Sequence, residues 1–195
     1  DQQNAFIESA ADFAPDALYG PSTGDDTLYG TRWDDVMQGL KGDDILYGDG
    51  GDDTLRGRQG NDELFGGDGA DTLRGNKGAD KIIGGAGQDK LIGGQGNDNL
   101  WGGSFGLDGE ADIFVFNHKA GQDLVHDFTA GQDTIKLNRH LSGDWNEVQN
   151  ALIDQGWATI LDLEALGGET GSKVSLIGVA AGDLTLNDFW LVAGA

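Results

Sequence analysis

Aspartate recurs at every ninth position from residue 26 to residue 98, as Asp26, Asp35, Asp44, Asp53, Asp62, Asp71, Asp80, Asp89 and Asp98. Carboxylates in such strict register are stacked by any regular fold, and stacked like charges repel. A hard divalent cation between them relieves that repulsion. Ca²⁺ accepts roughly six to eight oxygens, carboxylate and backbone carbonyl together, and Mg²⁺ suits a flexible, dehydrated cage less well. Other chemistries find little footing. There is no His-Glu-x-x-His helix for a catalytic zinc, His118, His126 and His140 are scattered, and cysteine is absent. The carboxylates are committed to the repeat, so no enzyme activity is expected of this chain, and any active site of a parent protein would lie upstream.

The elements that must hold these acids follow from the same period. Residues 21–101 divide into nine consecutive nonapeptides without a gap. Asp occupies position six, and position eight is always aliphatic or Met: Leu28, Met37, Leu46, Leu55, Leu64, Leu73, Ile82, Leu91 and Leu100. One apolar residue per repeat marks one buried position per repeat. Glycine holds position four except at Trp33 and position one except at Pro21, and permits backbone angles that other residues resist. The spacing predicts six residues of turn and three of strand per repeat, with two repeats to a coil. Strands of alternate repeats then stack as two parallel sheets at about 4.8 Å. Asp26, Asp44, Asp62, Asp80 and Asp98 line one edge, and Asp35, Asp53, Asp71 and Asp89 the other. Counting the gaps predicts about seven Ca²⁺ ions, with the site between Asp35 and Asp53 weakened by Trp33.

The stretch Gly84-Gly85-Ala86-Gly87-Gln88-Asp89-Lys90-Leu91-Ile92 resembles the consensus of RTX (repeats-in-toxin) nonapeptides. That resemblance implies an all-β fold, a right-handed parallel β-roll that folds on binding calcium. Residues 102–110 break the period, and a β-rich capping domain with one short helix is expected beyond them. Its strands are read at Ile113–Phe116, Leu124–Phe128, Thr134–Leu137, Trp157–Leu163, Lys173–Val179 and Leu184–Val192. The helix is read at Asp144–Gln155, with Asp144 and Glu147 at capping-box spacing and Trp145, Val148 and Leu152 along one face. Ala111-Asp112-Ile113-Phe114-Val115-Phe116, Asp127-Phe128 and Asp133-Thr134-Ile135 are similar to the C-terminal domain of serralysin-type secreted proteases. The ending, Leu184 to Val192, looks like a type I secretion signal, which in that family is recognised by an ATP-driven exporter. The resemblance implies a secreted, extracellular protein in three parts: an N-terminal cap segment 1–20, the roll 21–101, and a capping and secretion domain 102–195.

Composition narrows the partners. The chain of 195 residues carries 34 Asp and Glu against 12 Lys and Arg, a net charge of −22, which repels nucleic acid and anionic lipid. Thirty-five glycines with only 2 prolines fit repeated turns. No apolar run reaches the ~20 residues of a membrane-spanning helix. The chain opens at Asp1 without a signal peptide, and is expected to be a piece of something longer. Position nine should face outward. On one sheet it reads Tyr29, Tyr47, Phe65, Ile83 and Trp101, an apolar ladder to be covered by Phe6, Ile7 and Phe13 or used to bind a glycan or protein. On the other it reads Gln38, Arg56, Arg74 and Ile92, with Lys90 adjacent, a basic stripe that suits an acidic polysaccharide.

Overall fold

An aliphatic side chain that recurs once per nine residues is buried only if the backbone around it is extended and paired on both sides. Each nonapeptide accordingly supplies one strand. The computed structural model describes residues 18–19, 22–103, 110–117, 119–138 and 144–191. Phe6, Ile7 and Phe13, expected to cover the apolar ladder, lie outside the described residues, as do His118, His140 and Val192.

β1 (Leu18–Tyr19) precedes the repeats, whose nine strands are β2 (Thr27–Tyr29), β3 (Val36–Lys41), β4 (Ile45–Gly50), β5 (Thr54–Gln59), β6 (Glu63–Asp68), β7 (Thr72–Lys77), β8 (Lys81–Ala86), β9 (Lys90–Gln95) and β10 (Asn99–Gly103). After them come β11 (Ile113–Phe116), β12 (Gln122–Val125), β13 (Thr134–Leu137), α1 (Trp145–Ala151), β14 (Leu152–Asp154), β15 (Ala158–Asp162), β16 (Lys173–Ile177) and β17 (Phe189–Leu191). One sheet has the order β1-β3-β5-β7-β9-β11-β13-β17, and the second sheet runs β14-β15-β16-β12-β10-β8-β6-β4-β2. The chain is a parallel β-solenoid of about six turns with a single short helix among the described residues. Within the repeats the register offset is one coil of eighteen residues, so Leu55 lies beside Leu73 and Leu46 beside Leu64. From Met37 to Leu100 these side chains are fully buried in one column, which Phe114, Val125 and Ile135 prolong.

The strands are longer than expected. Pairing runs on through positions one to three of the following repeat, as in Arg58 beside Asn76 and Gln59 beside Lys77, and leaves only positions four to six as turn. The bend is absorbed at position two, where Leu40, Asp49, Arg58 and Asn76 take left-handed φ values of 78°, 76°, 89° and 81°. Parallel stacking also continues past residue 101 through β11, β12 and β13; only β14 with β15 and β15 with β16 are antiparallel.

The helix is shorter than the predicted 144–155. Asp144 caps it, its Oδ1 accepting the N–H groups of Asn146 at 2.8 Å and Glu147 at 3.0 Å, but Leu152 to Asp154 leave it to pair with β15, with Ile153 beside Ile160. Gly156, at φ 80°, turns that hairpin. Of the strand expected from Leu184 to Val192, the described residues are paired as a strand only at Phe189–Leu191. Thr185 and buried Asp188 instead form a capping box that starts a short 3-10 turn, and Asp188 Oδ1 accepts the Gly131 N–H at 2.5 Å.

Candidate metal centre

Position six is the innermost polar position of every turn, and eight of the nine repeat aspartates, Asp35 to Asp98, are at most 3% exposed. One oxygen of each is spoken for. Asp44 Oδ1 accepts the Asp26 N–H at 2.8 Å, Asp62 Oδ1 that of Asp44 at 3.0 Å, and Asp80 Oδ1 that of Asp62 at 2.8 Å. The other edge repeats the pattern from Asp35 to Asp53 and from Asp53 to Asp71, each at 2.7 Å. From Asp44 onward each carboxylate thus reaches back one coil, whereas Asp35 Oδ2 accepts from Thr31 in its own turn. The bond from the Asp35 N–H is intact although Trp33, 53% exposed, replaces the turn glycine.

The second oxygen is the informative one. Oδ2 of Asp44, Asp53, Asp62, Asp71, Asp80 and Asp98 is buried with no hydrogen-bond partner. It points back into its own turn: a Cβ placed on Gly39, Gly57, Gly75 or Gly93 would strike Oδ2 of Asp44, Asp62, Asp80 or Asp98. On the other edge a Cβ on Gly48 would meet both Asp53 Oδ2 and the Gly66 carbonyl oxygen, and one on Gly66 both Asp71 Oδ2 and the Gly84 carbonyl. Glycine at position one is therefore a matter of space, not of φ. The space holds electron-rich oxygens that no hydrogen-bond donor reaches, costly for a buried anion unless a cation supplies the missing charge. Burial, reinforced by neighbouring carboxylates, pushes Asp44, Asp53 and Asp80 up to about 7, and burial pushes Asp71 and Asp98 up to about 6.

Carboxylate and carbonyl oxygens sharing a small dehydrated space fit a hard cation of Ca²⁺ type. Among the described residues no three acidic, imidazole or thiol side chains converge on one point, so main-chain oxygens must complete such a cage.

Three further aspartates belong to the same ladder and were not singled out in the sequence. Asp112 Oδ1 accepts the Asp89 N–H at 2.9 Å, Asp123 Oδ1 that of Asp98 at 3.0 Å, and Asp133 Oδ1 that of Asp112 at 3.0 Å. The signal for Asp123 and Asp133 is Ala-Gly-Gln-Asp, which stands at 86–89 inside the repeats and again at 120–123 and 130–133; Asp112 follows Gly-Glu-Ala and lacks it. A second, exposed ladder at position five was also missed. There Asp25, Asp34 and Asp43 Oδ1 accept the N–H groups of Asp43, Asp52 and Asn61 at 2.9, 2.9 and 2.7 Å.

The outward residues form two different faces. Tyr29, Tyr47 and Phe65 stack with ring centroids 5.1 and 4.8 Å apart, and Trp101 stacks on His126 at 4.0 Å. Ile83, between Phe65 and Trp101, is buried rather than exposed, as is Ile92 on the opposite sheet. Arg56 and Arg74 lie side by side on adjacent strands, and among the described residues neither has an ion-pair partner. Outward positions on this sheet carry no carboxylate from Val36 to Lys136, whereas Glu63 faces out beside Lys81 on the other. The spacing Gly-x-Ser-x-Gly does occur, from Gly102 to Gly106, but Gly102 and Gly103 end β10 and Ser104 lies outside the described residues.

The family described as RTX calcium-binding nonapeptide repeat (4 copies) matches at residues 22–55, 32–64, 47–82, 56–91 and 74–105. Solved structures similar to the chain include an extracellular lipase from Serratia marcescens, at 18% identity and TM-score 0.41 over 93% of this chain. The chain spans 40% of that lipase. Two subunits of the mannuronan C5-epimerase of Azotobacter vinelandii are also similar. One has 23% identity and TM-score 0.38 over 88% of this chain and 80% of its own, the other 24% and 0.40 over 91% and 93%. No curated protein sequence matches the chain. No helix among the described residues is long and apolar enough to cross a membrane.

Proposed function

From the premise that residues 22–105 are RTX calcium-binding nonapeptide repeats, we propose that the chain is a calcium-triggered folding module of an exported protein. The observation that carries this reading is the row of buried Asp Oδ2 atoms without a hydrogen-bond partner, directed into glycine-walled turns. Bound between turns, Ca²⁺ would supply the positive charge those oxygens lack. Asp44 to Asp98 hold the turns in register through their Oδ1 atoms, and position-one glycines leave the space open. At a dissociation constant near ~10⁻⁴ M, millimolar calcium stabilises each site by about 1.4 kcal/mol. About seven sites then sum to roughly 10 kcal/mol, comparable with a whole domain's stability. At sub-micromolar cytosolic calcium that stabilisation vanishes, so the roll stays unfolded and threadable inside the cell and folds outside, where the repeat family is at home. The C-terminal strands would close the last coil, and the segment from Leu184 would be read by a type I exporter. Deleting residues 184–195 should abolish export; unchanged secretion would refute that part.

The test of the folding switch is circular dichroism of purified protein titrated from chelator with calcium, then with magnesium. A cooperative gain of β signal near ~10⁻⁴ to 10⁻³ M calcium, absent with magnesium, is the expected result. A folded spectrum in chelator would overturn it.

A second reading rests on the basic face. Arg74, Asn76, Lys77, Ile92, Gln95 and Lys119 line one groove on a protein of charge −22, and that concentration of cations suits an acidic polysaccharide. Titrating folded protein with an acidic and a neutral glycan, against the double variant Arg56→Ala, Arg74→Ala, decides it: equal or absent binding removes this reading.

A further inference from the structure

The Asp ladder does not stop where the matched repeats stop. Residues 119–123 rebuild a repeat turn from a different sequence context. Gly121 takes the place of the turn glycine, with φ 88°, and a Cβ placed on it would strike the Gly96 carbonyl, as one on Gly96 would strike that of Gly78. The Gln122 N–H donates to Asn97 Oδ1 at 2.9 Å, just as the Ala79 N–H donates to Asn61 Oδ1 at 2.8 Å two coils earlier. The Asp98 N–H donates to Asp123 Oδ1 at 3.0 Å, and the Leu124 N–H to the Asp98 carbonyl at 2.9 Å. The corresponding bonds between Asp80, Asp98 and Asn99 measure 2.9 and 2.8 Å.

Asp123 is 1% exposed, and its Oδ2 has no hydrogen-bond partner; the same holds for Oδ2 of Asp98 in the turn below. Two carboxylate oxygens in adjoining turns are thus buried without a donor. The nearby ammonium of Lys119 is engaged with Glu169 at 3.1 Å and gives no sign of serving them. One coil further on, Val174 stands beside Asp123 in register, so the row of acids on this edge ends there.

We propose that the turns Gly93–Asp98 and Lys119–Asp123 enclose an additional calcium site, the last on its edge, with Asp98 and Asp123 as its carboxylate ligands. It rests on the calcium reading of the repeats and extends it beyond residue 105. Asp123 serves one gap only, because Val174 offers no side-chain oxygen beyond it, whereas Asp62 borders a gap on each side.

The test is ion stoichiometry of the full chain at saturating calcium, by equilibrium dialysis or native mass spectrometry. Wild type is compared with Asp123→Asn, which keeps the Oδ1 acceptor for Asp98, and with Asp62→Asn as the consensus control. The expected result is one ion fewer in D123N than in wild type, with the remaining ions retained. Equal stoichiometry of D123N and wild type, with D62N reduced, would overturn the proposal while leaving the repeats calcium-bound; a wild type that binds no calcium would overturn both. Should D123N not fold, the anomalous signal of calcium in wild-type crystals decides: a peak between the two turns supports the site. Peaks at the consensus turns alone refute it.

Discussion

Asp62 shows what a single residue contributes. It accepts the Asp44 N–H and gives its own N–H to Asp80 Oδ1, so it ties three coils, while its Oδ2 remains without a hydrogen-bond partner. The substitution Asp62→Asn preserves both bonds and removes only charge. Its effect should change sign with calcium. With calcium present, loss of about one site's stabilisation lowers the unfolding midpoint by roughly 3–6 °C; in chelator the variant shows at least as much β signal as wild type, because a buried charge has gone. Equal destabilisation in both conditions would mean that Asp62 acts through packing alone. Protons should mimic the substitution. Burial raises Asp62, and takes Asp44, Asp53 and Asp80 to about 7 against an ordinary 3.8. A raised folded-state value favours the folded chain fully below about pH 4, and that contribution is lost as pH rises through 6 to 7. In chelator, β signal should therefore appear on acidification from pH 8 to 4.5. In calcium the direction reverses, and the midpoint of the calcium titration should climb below pH 6 as protons compete for the same oxygens. Circular dichroism at fixed ionic strength reads both.

The turn is the element on which the solenoid depends, and two glycine positions do different jobs in it. Gly78 combines φ 133° with a Cβ direction blocked by the Gly60 carbonyl, so Gly78→Ala should cost at least about 2 kcal/mol in calcium-loaded protein, read by thermal unfolding. Leu40, by contrast, bears a side chain at φ 78°; Leu40→Gly should be neutral or stabilising, because strain relief of about 1–2 kcal/mol exceeds the chain entropy added. These turns were legible in the sequence because Asp and an aliphatic residue or Met repeat without a single missed step from residue 26 to 100. Asp112, Asp123 and Asp133 were not, since the intervals that separate them from Asp98 onward are 14, 11 and 10 residues. A period search sees spacing, whereas the ladder needs only that the chain return to the same edge. The helix end was missed for a related reason. Leu152-Ile153-Asp154 suits either a helix or a strand by periodicity, and pairing with β15 decides between them.

At the scale of the whole molecule, two parallel sheets wind around one column of aliphatic side chains, and the two ends are finished differently. At the C-terminal end of one sheet the antiparallel strands β14 and β15 turn the growing edge away from further parallel stacking, which guards it against pairing with another chain. The whole-molecule architecture was the most legible level, because one period fixes strand, turn, coil and sheet together; the antiparallel finish was not, being built from residues outside the period. The eighteen-residue offset between stacked strands has a mechanical meaning too. Each coil, drawn out fully, is about 60 Å of chain, and contacts its neighbours through nearly the same set of bonds as every other coil. Tension along the chain is therefore met by a series of near-identical links that release one after another, so the repeats form a graduated tether, yielding in equal lengths where a globular domain would give way at once.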